Sequence, residues 1–331
     1  MAGRTGRVTA TDVAKEAGVS QATVSYVLND AAGQKISDQT RERVLAAVAR
    51  LGYKPSAAAR ALRLGRSDLV LMFLPGVPIG DTLTALVERL GEALEPHGLT
   101  LVTRRERHSP LKALWGELTP AVVIMTYGAP DEEAARMRSA GIDVVTIALE
   151  APEHGECLVI PQRRIGAMQV RRLVETGHRH IGYAAPGDPR VRDFFELRLA
   201  GAREECAASG LEPPVVYDVP LSVPAAAEAA RRWHTALPAV TGVCAYNDQT
   251  AFALLAGARR VGLTAPGDLA VVGVDNDKLA PFATPPLTTV DNNMDAVVGW
   301  FVKVIVGRLD GRRPAELPET VPVTLVVRES A

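Results

Sequence analysis

Apolar positions recur at helical spacing through the first fifty residues of the chain. Thr9, followed three residues later by Asp12, has the pattern of a capping box, where hydroxyl and carboxylate serve the free backbone donors of a new helix. Val13, Ala14 and Ala17 then form a short apolar stripe, and Gly18 stops it by entering the left-handed region without a Cβ clash. Ser20 is placed to cap a second helix, in which Val24, Val27 and Leu28 fall on one face. A third helix is predicted over 37–51, capped by Ser37, packed through Val44, Val48 and Leu51, and stopped by Gly52. Pro55 opens one more short helical pattern over 56–64, ended by Gly65. A helix that short does not hold alone in water. It reads either as a plain linker or as a segment that orders when docked.

From residue 67 the pattern changes. Strand-length apolar runs lie at 69–74, 99–103, 121–125, 144–148, 181–185, 242–245 and 269–274. Helical patterns lie between them at 81–95, 130–140, 165–176, 197–209, 224–236 and 248–261. Such alternation implies parallel sheets with helices on both faces. The 265 residues after position 66 suffice for two doubly wound lobes, and a small solute would bind in the cleft at the carboxyl ends of their strands. The expected fold is therefore an N-terminal all-α helix-turn-helix head with a hinge helix, joined to an α/β two-lobed body. The expected divisions are 8–54, 55–66 and 67–331.

Charge sharpens this division. The chain of 331 residues carries a net −1, from 37 Lys and Arg against 38 Asp and Glu. Residues 1–66 hold eleven of the basic and five of the acidic residues, so the head is +6 and the remainder −7. A basic head on an acidic body points to a polyanion-binding module. The second helix carries its most informative face: Gln21, Ala22, Ser25, Tyr26 and Asn29, polar but uncharged. Such groups pair with base edges in a major groove, whereas charged groups mostly track phosphates. The plainer alternative is a solvated helix face, and the helix-turn-helix spacing together with the +6 charge favours DNA.

The run Asp12-Val-Ala-Lys-Glu-Ala-Gly-Val-Ser-Gln-Ala-Thr-Val-Ser-Tyr-Val-Leu-Asn29 resembles the signature of the lactose-repressor (LacI/GalR) family of bacterial transcription regulators. Thr40-Arg-Glu-Arg-Val44, Leu51-Gly-Tyr-Lys-Pro55 and Ala59-Arg-Ala-Leu62 continue the match. The resemblance implies that Gln21, Ala22 and Tyr26 choose the operator sequence. It implies that Thr9, Ser20, Thr23, Ser25, Asn29 and Ala59 support or contact the DNA, and that Leu62 is a minor-groove wedge. Ala22 presents a methyl group, suited to a thymine methyl.

The resemblance continues through the second half of the body. It covers Gly177-His-Arg-His-Ile-Gly-Tyr183, Arg198-Leu-Ala-Gly201, Ala245-Tyr-Asn-Asp-Gln249, Val272-Gly-Val-Asp-Asn276 and Thr284-Pro-Pro-Leu-Thr-Thr-Val290. These look like the family's periplasmic-binding-protein-like sensor core. The positions matching Arg198, Asn247 and Asp275 hold the effector in relatives. Arg198 is read as opening a helix, and Asn247 and Asp275 as standing just past strands. Surface ion pairing is the alternative for Arg198, and helix capping for Asn247. Tyr127, Arg192 and Phe195 complete the candidate pocket, although aromatics are more often core. The first lobe departs from the family. Leu74-Pro-Gly-Val-Pro-Ile-Gly-Asp81 lacks an aromatic stacking residue, Thr119-Pro120 replaces an Asp-Gly, and Pro161-Gln162 replaces an acidic-amide pair. Arg163, Arg164, Arg171, Arg172 and Arg192 leave open an anionic effector or a solvated basic face.

Other classes are excluded in turn. Cys157, Cys206 and Cys244 form neither a disulfide framework nor a metal half-site, which fits a reducing cytoplasm. The first ten residues lack a leader's apolar core, and no apolar run is long enough to span a membrane. Dinucleotide, P-loop, zinc-protease and serine-elbow motifs are absent, and His178 and His180 have no local acidic or Cys partner, so no enzyme, metal or cofactor is expected. The expectation is a repressor acting as a homodimer on a duplex DNA operator and controlled by a small-molecule effector such as a carbohydrate. The competing reading is a freestanding solute-binding protein, against which the head argues.

Overall fold

The computed structural model describes residues 8–28, 36–53, 67–105, 115–116, 118–127, 131–150, 157–312 and 320–331. Asn29, Ala59, Leu62 and the predicted linker helix lie outside these residues. Two compact units result, Met1–Asp68 and Leu69–Ala331.

In the first unit, α1 (Ala10–Ala17), α2 (Gln21–Leu28) and α3 (Asp38–Leu51) appear where the pattern placed them. The capping box is complete: Thr9 N–H and hydroxyl both donate to Asp12 Oδ2, at 2.9 and 2.7 Å, and Thr9 Oγ1 accepts the Asp12 N–H at 3.3 Å. Gly18 ends α1 at φ +64°, a conformation a side chain would strain. Val13, Ala14, Ala17, Val24, Val27, Val44 and Ala47 form the core, with Leu28, Val48 and Leu51 only partly buried at its edge.

The second unit holds two sheets. The first lobe orders its parallel strands β2-β1-β3-β4-β5, with β1 (Leu69–Leu74), β2 (Thr100–Arg105), β3 (Val122–Met125), β4 (Asp143–Ala148) and β5 (Cys157–Val159). Helices α4 (Asp81–Leu94) and α5 (Asp131–Ser139) belong to it. The second lobe contributes α6 (Gln162–Glu175), β6 (Ile181–Ala185), α7 (Arg192–Ala208), β7 (Val215–Asp218), α8 (Val223–His234), β8 (Gly242–Ala245), α9 (Asp248–Arg260), β9 (Ala270–Val274) and β10 (Thr288–Asp291). The chain then returns to the first lobe as α10 (Met294–Leu309). Val297, Trp300, Phe301, Val304 and Ile305 of this helix join Leu86, Leu90 and Leu94 of α4 over β1 and β3. It crosses back to end as β11 (Thr324–Val326), antiparallel to β10 at the edge of the order β11-β10-β9-β8-β6-β7.

Three crossings thus join the lobes. Val321 N–H donates to the Val159 carbonyl at 3.0 Å, tying two of them together. Ile165, Val274, Val290 and Val323 pack beneath them.

Sequence pattern did not disclose β5, β7, β10, β11 or α10. β5 and β11 are only three residues long, polar residues break the apolar runs of β7 and β10, and α10 is too uniformly apolar to show a helical period. The helix predicted over 197–209 begins earlier, at Arg192, so Arg198 lies inside α7 and does not open it. The reason is local: Asp188 Oδ1 accepts the Arg190 N–H at 2.9 Å, and the resulting turn over Pro189–Val191 leads directly into the helix.

Candidate functional site

In the head, α2 buries Val24 and Val27 and turns Gln21, Ala22 and Tyr26 outward. Tyr26 is 39% exposed. Ser20 Oγ accepts the Thr23 N–H at 3.1 Å and lies 2.9 Å from Thr23 Oγ1, so these two hydroxyls stiffen the start of the helix. Ser25 lies on the same outward side, half-buried. The face is therefore uncharged, rigidly capped and set on a domain rich in Lys and Arg.

In the body, the carboxyl ends of β6, β8 and β9 bring together the residues expected there. Arg198 is 4% exposed. Its Nε donates to Gln162 Oε1 at 2.7 Å, its Nη1 donates to the Tyr246 carbonyl, and its guanidinium stands 4.8 Å from the Tyr246 ring centroid. Asp275 follows β9 at φ +107°, a strained conformation for any residue but glycine, held by its N–H donating to the Val290 carbonyl at 2.8 Å. Asn292 Nδ2 donates to Asp275 Oδ1 at 2.7 Å, and the Oδ1 of that carboxamide is buried with no partner among the described residues. Burial pushes the Asp275 carboxyl up to about 6, against the pull of Arg198.

Asn247 accepts the Thr250 N–H at 3.0 Å and the Thr250 hydroxyl at 2.9 Å, so its carbonyl oxygen caps α9. Tyr127, just past β3, meets Phe194 edge to face at 4.9 Å. Thr126 sets that position by donating its hydroxyl to the Phe73 carbonyl at 2.8 Å. Burial raises the Tyr127 phenol well above its usual value.

Two expected residues stand apart. Phe195 turns inward onto Tyr183, 5.6 Å between ring centroids, within the core of the second lobe. Arg192 pairs outward with Glu196 at 3.1 Å. Both line a cavity of about 340 Å³ beside β7, with Asp188, Arg203 and Asp218. Three of the other arginines are engaged as well. Arg163 pairs with Glu150 and Glu204, Arg171 with Glu205, and Arg172 donates to the Ala331 carbonyl.

Gln162, Tyr246 and Asn292 escaped sequence reasoning, and each is a neighbour of something noticed. Gln162 sits at the substituted amide position, Tyr246 precedes Asn247, and Asn292 follows β10. Among the described residues no cluster could hold a metal ion, and no helix is long and apolar enough to cross a membrane.

A capped helix-turn-helix head and a two-lobed parallel-sheet body with convergent polar groups at its strand ends define a DNA-binding regulator with a sensor body. Residues 9–56 match the bacterial regulatory proteins of the lacI family, and residues 170–331 match the periplasmic binding protein-like domain. The regulator MalR of Streptomyces coelicolor is 31% identical, over 96% of this chain and 95% of its own. The regulator CelR of Thermobifida fusca is 29% identical over 96% of each chain. The solved CelR–cellobiose complex aligns at TM-score 0.66 and 28% identity, over 98% of this chain and 100% of that one. A lac repressor dimer bound to operator and the anti-inducer ONPF aligns at TM-score 0.79 and 24% identity, and shares the fold. The chain belongs to the lacI family of bacterial transcription regulators.

Proposed function

We propose that this protein is a cytoplasmic, homodimeric repressor whose grip on a near-palindromic operator is set by a small uncharged polyhydroxyl molecule bound between the lobes. The outward, uncharged face of α2 carries the reading. Gln21, Ala22 and Tyr26 contact base edges, while Ser20, Thr23, Ser25, Thr9 and Asn29 position the head on the backbone. Leu62 and Ala59 belong to a linker that docks in the minor groove. No catalytic role is assigned to any residue.

The effector class rests on the donor and acceptor balance at the strand ends. Arg198 offers donors, and Asp275 and the unpaired Asn292 Oδ1 offer acceptors, a combination that suits hydroxyl groups. The arginines that would have drawn an anion are largely paired elsewhere. The relative solved with cellobiose is in keeping with this.

Selection of duplexes from a randomised pool by the purified chain, with the winners challenged by a panel of sugars, tests both halves. One enriched site released or tightened by one sugar is the expected result. A protein that enriches no site refutes the reading and leaves the freestanding solute-binding alternative.

A further inference from the structure

We propose that Gln169 is a positioning residue for the effector site: its buried carboxamide stands between β8 and β9 where the two strands part, and fixes the ends that carry Asn247 and Asp275. This role rests on the reading of the strand ends as a sensor and deepens it.

Gln169 lies on α6 and is wholly buried. The ladder between β8 and β9 ends with Cys244 opposite Val272. Beyond that pair the strands follow different neighbours. β8 stays with β6, Ala245 opposite Ala184, and the Tyr246 N–H donates to the Ala184 carbonyl at 3.1 Å. β9 stays with β10, Val274 opposite Val290, and the Asp275 N–H donates to the Val290 carbonyl at 2.8 Å. The Gln169 carboxamide occupies the division. Its Nε2 donates to the Ala245 carbonyl at 2.8 Å and to the Val272 carbonyl at 2.9 Å, and lies 3.4 Å from the Gly273 carbonyl. Its Oε1 accepts the Tyr183 hydroxyl of β6 at 3.2 Å, which decides the end of the amide that faces the carbonyls. One side chain thus ties β6, β8 and β9 together at the level of the site.

Packing alone does not call for an amide on this face. Leu173, one turn further along α6, meets the amino end of β8 with hydrocarbon, its Cδ2 standing 2.9 Å from where a Cβ on Gly242 would lie. A carboxamide taken out of water is costly unless its donors and acceptor are served, and at Gln169 both protons and the oxygen have partners. Asp248 of α9 covers the same strand end from the other face of the sheet. A Cβ on Gly273 would fall 2.1 Å from its Oδ1, and its Oδ2 accepts the Asp277 N–H at 2.7 Å.

The site residues follow directly from these anchors. The Tyr246 carbonyl, one residue after Ala245, accepts from Arg198 Nη1, and Asn247 comes next. Asp275 stands two residues after Gly273, at φ +107°. Without the amide the two strand ends are free to shift against each other, and Arg198, Asn247 and Asp275 lose their mutual spacing.

Amide hydrogen exchange on the full chain, read by mass spectrometry, tests this. Gln169→Met keeps the length of the side chain and loses both donors. It should raise exchange about tenfold or more in segments 245–248 and 273–277. Leu173→Ala opens a cavity at the other end of β8 and should lower Tm without that local change. Tyr183→Phe deprives only the amide oxygen of its partner and should give a smaller rise in the same two segments. Exchange at the parent level in Gln169→Met, or a rise there no larger than in Leu173→Ala, overturns the proposal. Should Gln169→Met not fold, Tyr183→Phe decides, and no rise in those segments overturns it equally. The sugar picked out by its effect on the operator complex supplies the functional readout. Gln169→Met should bind it about tenfold or more weakly, and Leu173→Ala like the parent. Parent affinity in Gln169→Met also overturns the positioning role. A parent that answers to no sugar removes the sensor reading, and the exchange pattern then decides alone whether the carboxamide fixes the strand ends.

Discussion

Asp248 shows how a single buried group makes the body answer to pH. It is 1% exposed, and burial pushes its carboxyl up to about 7, an effect the Thr289 hydroxyl and the Asp277 N–H only partly offset. The folded chain then keeps a proton that the unfolded chain releases near the ordinary 3.8. Folding binds that proton between the two values, so stability falls as pH rises through this window and levels off above about 7. Asp275, raised to about 6, acts in the same direction. Calorimetry should find a higher Tm for the parent at about pH 5 than at about pH 8, and a smaller difference in Asp248→Asn. An identical difference in that variant would show that the proton sits elsewhere. In the head, Gln21→Ala should cost ~1–3 kcal/mol at one base position, read as relaxed preference there in a randomised-site selection. Unchanged preference would remove Gln21 from the set of base-reading residues.

The pairing of α6 with α7 is the tightest helix contact in the body, and two glycines permit it. A Cβ on Gly166 would lie 1.9 Å from the Arg198 carbonyl oxygen, and one on Gly201 would lie 1.9 Å from the Arg163 carbonyl oxygen. This close approach brings Gln162, at the start of α6, within reach of Arg198 on α7. Gly201→Ala should therefore destabilise the body by ~2 kcal/mol despite alanine's better helix propensity. Gly91→Ala on α4, where a Cβ meets nothing within 4 Å, should stabilise it by up to ~1 kcal/mol. Urea unfolding separates the two, and equal effects would refute the steric account. Element boundaries were least legible where a turn ran straight into a helix. Nothing in the apolar pattern signals that α7 starts at Arg192, because Asp188 and Pro189 set that start through hydrogen bonding and backbone restriction.

A dimer presenting two heads of +6 should neutralise several phosphates. Contacts to ~6–10 phosphates predict a roughly thousandfold or greater loss of duplex affinity between ~50 and ~200 mM salt. Titration by fluorescence anisotropy checks this, and a flat salt response would contradict a head that tracks phosphates. Leu62→Ala should lessen operator bending in a gel-phasing experiment if that leucine unstacks a base step, and equal bending by mutant and parent would refute the wedge. The candidate effector site divides along similar lines. Asn247 and Asp275 were marked by their places just past strands, whereas Arg198 was marked by the family resemblance and lies inside α7, and Tyr127 was marked by its ring. Arg192 and Phe195 lie close in sequence to Phe194, yet helical rotation sends them to other surroundings.

Local chemistry, read from the chain alone, determined the caps, the three head helices, the alternation of strand and helix, and the family. Those signals lie within a few residues of one another and need no partner. Only the tertiary structure decided that α10 returns to the first lobe and that Gln162 meets Arg198. The same holds for the buried Asn292 oxygen beside Asp275. Each of these pairs distant parts of the chain through the three lobe crossings, and side-chain spacing carries no record of which surfaces such crossings bring together.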